Sequence, residues 1–136
     1  MSGITSWCLL MNNRIKERVI EFAYATEGAR NHRCHHVAAI FKKNFILSLG
    51  INSAKTHPQI KKHDYPSNAR LHSELAAAIK GGLEDYSEYS MFVLRINRNK
   101  NLDFSRPCKH CRSMLEQLNF KRVYFTDRLG KILELN

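Results

Sequence analysis

The chain has 136 residues, 43% hydrophobic and 25% charged, which suits one compact domain and excludes collagen-like, coiled-coil and intrinsically disordered chains. Lys plus Arg number 22 against 12 Asp plus Glu, a net charge of +10 that favours an anionic partner: a nucleotide, a nucleic acid or an acidic surface. No apolar run is long enough to cross a bilayer, and the short apolar stretch at residues 7–11 lacks the basic start of a secretory signal, so a cytoplasmic location is expected.

Residues 12–27 carry Ile15, Val19, Phe22, Ala23 and Thr26 at helical spacing, with Arg14, Lys16, Glu17, Arg18 and Glu21 on the other face. This predicts an amphipathic first helix. After the basic segment 31–36, two apolar runs at 37–41 and 45–51 flank Lys42, Lys43 and Asn44, the spacing of a β-hairpin. Residues 52–71 hold two prolines, several cations and no periodicity, which reads as a long loop, and long loops in small domains are often functional. A second helix is predicted over 72–80, closed by Gly81 and Gly82, and a strand over 91–96. Residues 97–101 form a polar turn, and a third helix over 108–118 starts after Pro107. Strands at 123–126 and 132–135 are joined by too few residues for a parallel crossover, so they pair antiparallel. An initial hairpin followed by alternating helices and strands predicts a mixed sheet covered by helices.

The four cysteines, Cys8, Cys34, Cys108 and Cys111, are too few and too uneven for a disulfide framework. Cys108 and Cys111 are metal ligands or redox partners, and the placement after a first strand that marks a thioredoxin-like redox pair is absent. His72-Ser73-Glu74 opens the second predicted helix, and Pro107-Cys108-Lys109-His110-Cys111 opens the third, 36 positions later. One imidazole and two thiolates supply the three protein ligands of a catalytic zinc and leave a fourth position open, whereas half of a closed structural zinc site remains the rival. Both helix N-termini would face the ion and stabilise thiolates and developing anions. Glu74, two residues past His72, suits a proton shuttle that does not ligate the metal.

H-x-E alone is common in a chain with 7 histidines, but H-x-E followed by P-C-x-x-C is the signature of the zinc nucleobase deaminases. The sequence thus resembles the cytidine and deoxycytidylate deaminase superfamily over roughly residues 12–135. The resemblance implies a three-layer α/β/α sandwich with a mixed, roughly five-stranded sheet. It also implies a single zinc ion on His72, Cys108 and Cys111, and Glu74 as the catalytic acid and base. The run ending at Asn52 looks like the end of the second strand in this superfamily, where an Asn contacts sugar or base. Residues 53–58 look like short phage and bacterial proteins of the CMP/dCMP type. Ser73 replaces the small apolar residue of many relatives. The tight link at 127–131 is more similar to nucleoside deaminases than to the dCMP or tRNA branch.

Lys55, His57, Tyr65 and Arg70 on the long loop, with Arg106 beside the cysteines, are candidates for substrate contact, the cations for phosphate and Tyr65 for base stacking. Each is individually accounted for by an ordinary solvated surface. Lys61, Lys62, His63 and Arg112 share this character. Arg30, His32, Arg33, His35 and His36 form a second basic cluster. A second metal on Cys34, His35 and His36 is disfavoured, because adjacent strand residues point to opposite faces. Cys8 reads as an apolar contact, and His110 as pointing outward. A free nucleotide or nucleoside is the first expected substrate, single-stranded DNA or RNA the second. A non-catalytic, zinc-stabilised nucleic-acid binder is a third possibility, against which Glu74 argues. A homo-oligomer is plausible for so small an enzyme.

Overall fold

In a computed structural model, residues 11–27, 35–54, 57–63, 65–66 and 70–135 are described. The first helix, α1 (Asn13–Glu27), buries Ile15, Val19 and Ala23, a spacing of four that sets one stripe against the sheet. The hairpin follows as β1 (His35–Lys42) and β2 (Phe45–Ile51), paired antiparallel, with a bulge between Ile40 and Phe41. A helical turn, α2 (Gln59–Lys62), precedes α3 (Ser73–Gly81). Then come β3 (Ser90–Ile96), β4 (Leu102–Asp103), α4 (Lys109–Gln117), β5 (Arg122–Thr126) and β6 (Ile132–Glu134).

The strands form one sheet in the order β2-β1-β3-β5-β6, with β4 paired to the end of β3. Only β3 and β5 run parallel; β5 and β6 are antiparallel, as the short link between them requires. The sixth strand, β4, escapes sequence reading because two residues show no alternation. β1 and β3 sit centrally, and their alternate residues feed two cores. Val37, Ala39, Phe41, Phe92 and Leu94 pack under α1, while Ala38, Ile40, Met91 and Val93 pack under α3 and α4. A layer of helix on each face of the sheet is the three-layer sandwich expected from the sequence.

Two details fix α3, the helix that carries the H-x-E motif. Gly50 on β2 lies under it so closely that a Cβ there would stand 2.3 Å from both Ala77 N and Ser73 O. Ser48 Oγ also donates to Ala77 O at 2.7 Å. The helix ends at Gly82, whose φ of 70° is left-handed, the conformation a glycine cap adopts without strain.

The segment read as an unstructured loop is partly built into the core. His57 Nδ1 accepts from Gln59 N–H at 3.1 Å and so caps α2, whose Ile60 is 2% exposed. His63 Nδ1 lies 3.2 Å from Gln117 Oε1, tying the turn to α4. A four-residue turn is too short to display helical periodicity, and for that reason the sequence conceals it. Among the described residues, no helix is long and apolar enough to cross a membrane.

Candidate active site

His72 and Cys108 each occupy the residue just before a helix begins, with extended ψ values of 153° and 172°. Their carbonyls accept the first helical hydrogen bonds, from Ala76 and Arg112 at 2.9 and 2.8 Å. Cys111 follows in the first turn of α4. The P-C-x-x-C segment is anchored by Ser105, buried just ahead of it. Its Oγ donates to Val93 O at 2.8 Å and accepts from Thr126 N–H at 2.8 Å. The N-termini of α3 and α4 meet, and the partial positive charge of the two helix starts makes the meeting point electropositive.

Here the motif residues converge. His72 Nδ1 stands 3.6 Å from Cys108 Sγ and 3.4 Å from Cys111 Sγ. A nitrogen and a sulfur sharing one tetrahedral zinc, at ordinary ligand distances, lie roughly 3.5 Å apart, so this donor set fits zinc. All three donor atoms lie within 4.8 Å of one another, and no further His, Cys, Asp or Glu among the described residues joins the group.

Hydrogen bonds from Cys111 and His72 bring the Cys108 pKa down to about 3, making it the anion of the pair. The Cys111 thiol is pushed up by its bond to Cys108 and by burial, and the bond with Cys108 raises His72.

Glu74 is 6% exposed, and burial pushes its carboxyl up, against the lowering pull of its own N–H, His72 and the Ser73 hydroxyl. Ser73 Oγ donates to Glu74 Oε1 at 3.0 Å. This contact was invisible in the sequence, where Ser73 reads as a tolerated substitution; the helix start turns its side chain toward the carboxylate. A buried carboxyl whose pKa is pushed up holds a proton more readily than a solvated one, the direction an acid–base catalyst needs.

A cleft of about 280 Å³ opens above these groups at one end of the sheet, where β1 begins and β2 ends. Its wall includes His36, Asn52, Arg70, Glu74, Ser105 and Arg106. Asn52 Oδ1 accepts from the His36 N–H at 3.0 Å, joining the start of β1 to the end of β2. Burial, then Arg95, His72 and His35, depress the His36 imidazole to about 4, so it faces the cleft uncharged. Arg70 and Arg106 are exposed at the mouth.

Other expected contacts fall elsewhere. His57 caps α2 and is absent from the cleft wall. Tyr65 is no stacking platform: its ring is 5% exposed and its hydroxyl sits 2.7 Å from Cys111 Sγ. His110 does not point freely outward; its half-buried ring stands 5.6 Å from that of Tyr65. Lys55, Cys8, Cys34, Arg30, His32 and Arg33 lie outside the described residues, as does the side chain of Lys61. His35 is buried, with Nε2 2.8 Å from Thr26 Oγ1, whereas His36 lines the cleft, so the two neighbours do face opposite ways.

Among solved structures, the chain is similar to the dCMP deaminase of cyanophage S-TIM5 in apo form, with a TM-score of 0.57 and 24% identity over 86% of each chain. It is similar also to that enzyme in complex with dCMP and dUMP, with a TM-score of 0.56 and 23% identity over 86% of this chain and 84% of the other. The chain has the deaminase fold. No protein-family model matches the sequence, and no curated protein matches it either. On the deaminase fold, the converging His72, Cys108 and Cys111 occupy two helix starts; His72, Glu74 and Cys108 line the cleft, and Cys111 lies buried behind them.

Proposed function

We propose that this protein is a zinc-dependent hydrolytic deaminase that converts cytosine to uracil in a free nucleotide or nucleoside of the CMP/dCMP type, releasing ammonia. The observation that carries this reading is the set of three metal donors beside a buried carboxylate in the cleft of a deaminase fold. The similar phage enzyme in complex with dCMP and dUMP supports a pyrimidine nucleotide as the substrate class.

His72, Cys108 and Cys111 would hold the zinc, which when bound acidifies a water molecule toward neutral pH. Glu74 moves the protons. It takes one from the attacking water and passes it to the ring nitrogen, which makes the neighbouring carbon more electrophilic. Oxygen adds to that carbon, and Glu74 then delivers the second proton to the exocyclic amine. The carbon–nitrogen bond breaks, ammonia leaves and a carbonyl remains. Ser73 holds the Glu74 carboxylate by its hydrogen bond. Asn52 and the neutral His36 offer polar contacts to sugar or base, and Arg70 and Arg106 face the phosphate. Lys55 belongs to the same proposed substrate set by its position in the chain.

The test is mass spectrometry of zinc-loaded protein with dC, dCMP, dCTP, adenosine and single-stranded oligonucleotides. E74Q should retain the metal and lose roughly 10²–10⁴-fold in turnover. Undiminished turnover in E74Q removes the mechanism, and no ammonia from any substrate removes the enzyme.

A second reading, single-stranded DNA or RNA as substrate, is favoured by one feature. Arg106 borders both the catalytic cleft and a neighbouring groove of about 530 Å³ that also carries Arg112 and Lys121, beside Glu116 and an Arg122 paired with Glu134 at 3.1 Å. Phosphates following a bound base would meet these cations. Activity on oligonucleotides then falls steeply between low and physiological salt, while monomer turnover responds weakly.

A further inference from the structure

The two cysteines of the site live in different surroundings. Cys108 is exposed, so water can solvate its sulfur, whereas Cys111 is buried within the cluster that contains Met114, Leu115 and Leu75. A buried thiolate without a donor is costly. The only hydroxyl among the described residues that meets this sulfur is that of Tyr65, at 2.7 Å.

Two further contacts place Tyr65. Its N–H donates to Ile60 O at 3.1 Å, at the end of the turn that buries Ile60, and its ring meets the edge of His72 at 5.3 Å between centroids. It therefore touches two of the three metal donors. A phenol this buried requires a partner for its hydroxyl, and a sulfur bound to a metal has no proton, so the tyrosine must donate. An O–H donor to sulfur draws charge off the ligand and leaves the metal more electrophilic.

We propose that Tyr65 is a positioning residue of the metal centre, whose hydroxyl donates to the Cys111 thiolate and sets how much charge that sulfur gives the ion. This rests on the metal reading above and extends it to a residue outside both motifs. Cobalt(II) loaded into the full chain reports the sulfur directly through its thiolate-to-metal charge-transfer absorption, without any need for substrate.

In Y65F the uncompensated sulfur is easier to oxidise, so the charge-transfer band moves to lower energy while the tetrahedral d–d pattern remains. Metal affinity, measured by chelator competition, falls roughly 10–100-fold. Difluorotyrosine placed at position 65 keeps the shape and strengthens the donor, so its band moves to higher energy; this second variant serves even if Y65F folds poorly. Spectra that superimpose on the wild type in a cobalt-loaded variant overturn the proposal, as does an affinity loss with an unmoved band, which signals packing alone. A wild-type chain that gives no cobalt–thiolate band overturns the metal reading and this inference together.

Discussion

The two helix starts and the segment between β2 and α3 both build the candidate site, but by opposite means. At the helix starts the functional residues are set by local spacing: His72 and Glu74 lie two apart and Cys108 and Cys111 three apart, so one turn of helix aims each pair. In the intervening segment, spacing says little. Of the residues that look functional there, Arg70 reaches the cleft, but His57 and Tyr65 serve as a helix cap and a buried support, and an inconspicuous isoleucine is an anchor. A charged, proline-containing stretch can therefore act structurally when a few of its side chains reach the core.

That contrast can be broken most forcefully at Ile60. If the segment is a structural support, I60A costs about 2–5 kcal/mol, while K62A at an exposed neighbouring position stays within about 0.5 kcal/mol. Chemical denaturation of the two variants compares them directly, and equal, small effects would make the segment a mere solvated loop.

Gly50 tests the helix side. The backbone of α3 leaves no room for a Cβ there, so G50A should cost about 1–3 kcal/mol and lower the zinc bound per chain, because His72 moves with the helix. Thermal melting with metal analysis reads both; an unshifted melting temperature would mean that α3 has slack.

Metal uptake should show the proton held on Cys111. Cys108 is held low while the Cys111 thiol and the His72 imidazole are both pushed up, so the metal must displace protons from Cys111 and His72. Affinity then rises with pH, about tenfold per unit for each proton released, over the range in which Cys111 remains protonated without metal. Calorimetry in buffers of different ionisation heat counts the protons, and an affinity independent of pH from 6 to 8 contradicts the arrangement.

The smallest effect is expected at Ser73. Its hydroxyl lowers the Glu74 pKa against the upward push of burial. Loss of that bond in S73A raises the pKa, so the acid limb of kcat/KM, where Glu74 must be ionised in the free enzyme, moves to higher pH. Turnover falls by roughly three- to tenfold, the scale of one ordinary net hydrogen bond. A pH profile superimposable on the wild type would show that Ser73 does not act on Glu74.

Much of the fold was legible because its signals are local and repeated. The α1 stripe, the apolar runs of β1 and β3 and the short 127–131 link each occupy a contiguous run of residues. The two-residue β4 and the four-residue α2 were illegible because neither completes a period. Ser105 and Thr126, which anchor the cysteine segment by contact across 21 positions, give no sequence signal at all.

The sequence by itself determined the three longer helices, the main strands and the chemical inventory of the site, since one imidazole, two thiols and a carboxylate at those spacings limit the chemistry strongly. Only the tertiary structure decided that His72 and Cys108, 36 positions apart, share one point, that Ser73 bonds to Glu74, and that Tyr65 lies beneath Cys111 rather than over a substrate. The reason is physical: periodicity and capping act within a turn or two of chain, whereas burial and hydrogen-bond satisfaction are settled among neighbours that meet only when the core closes.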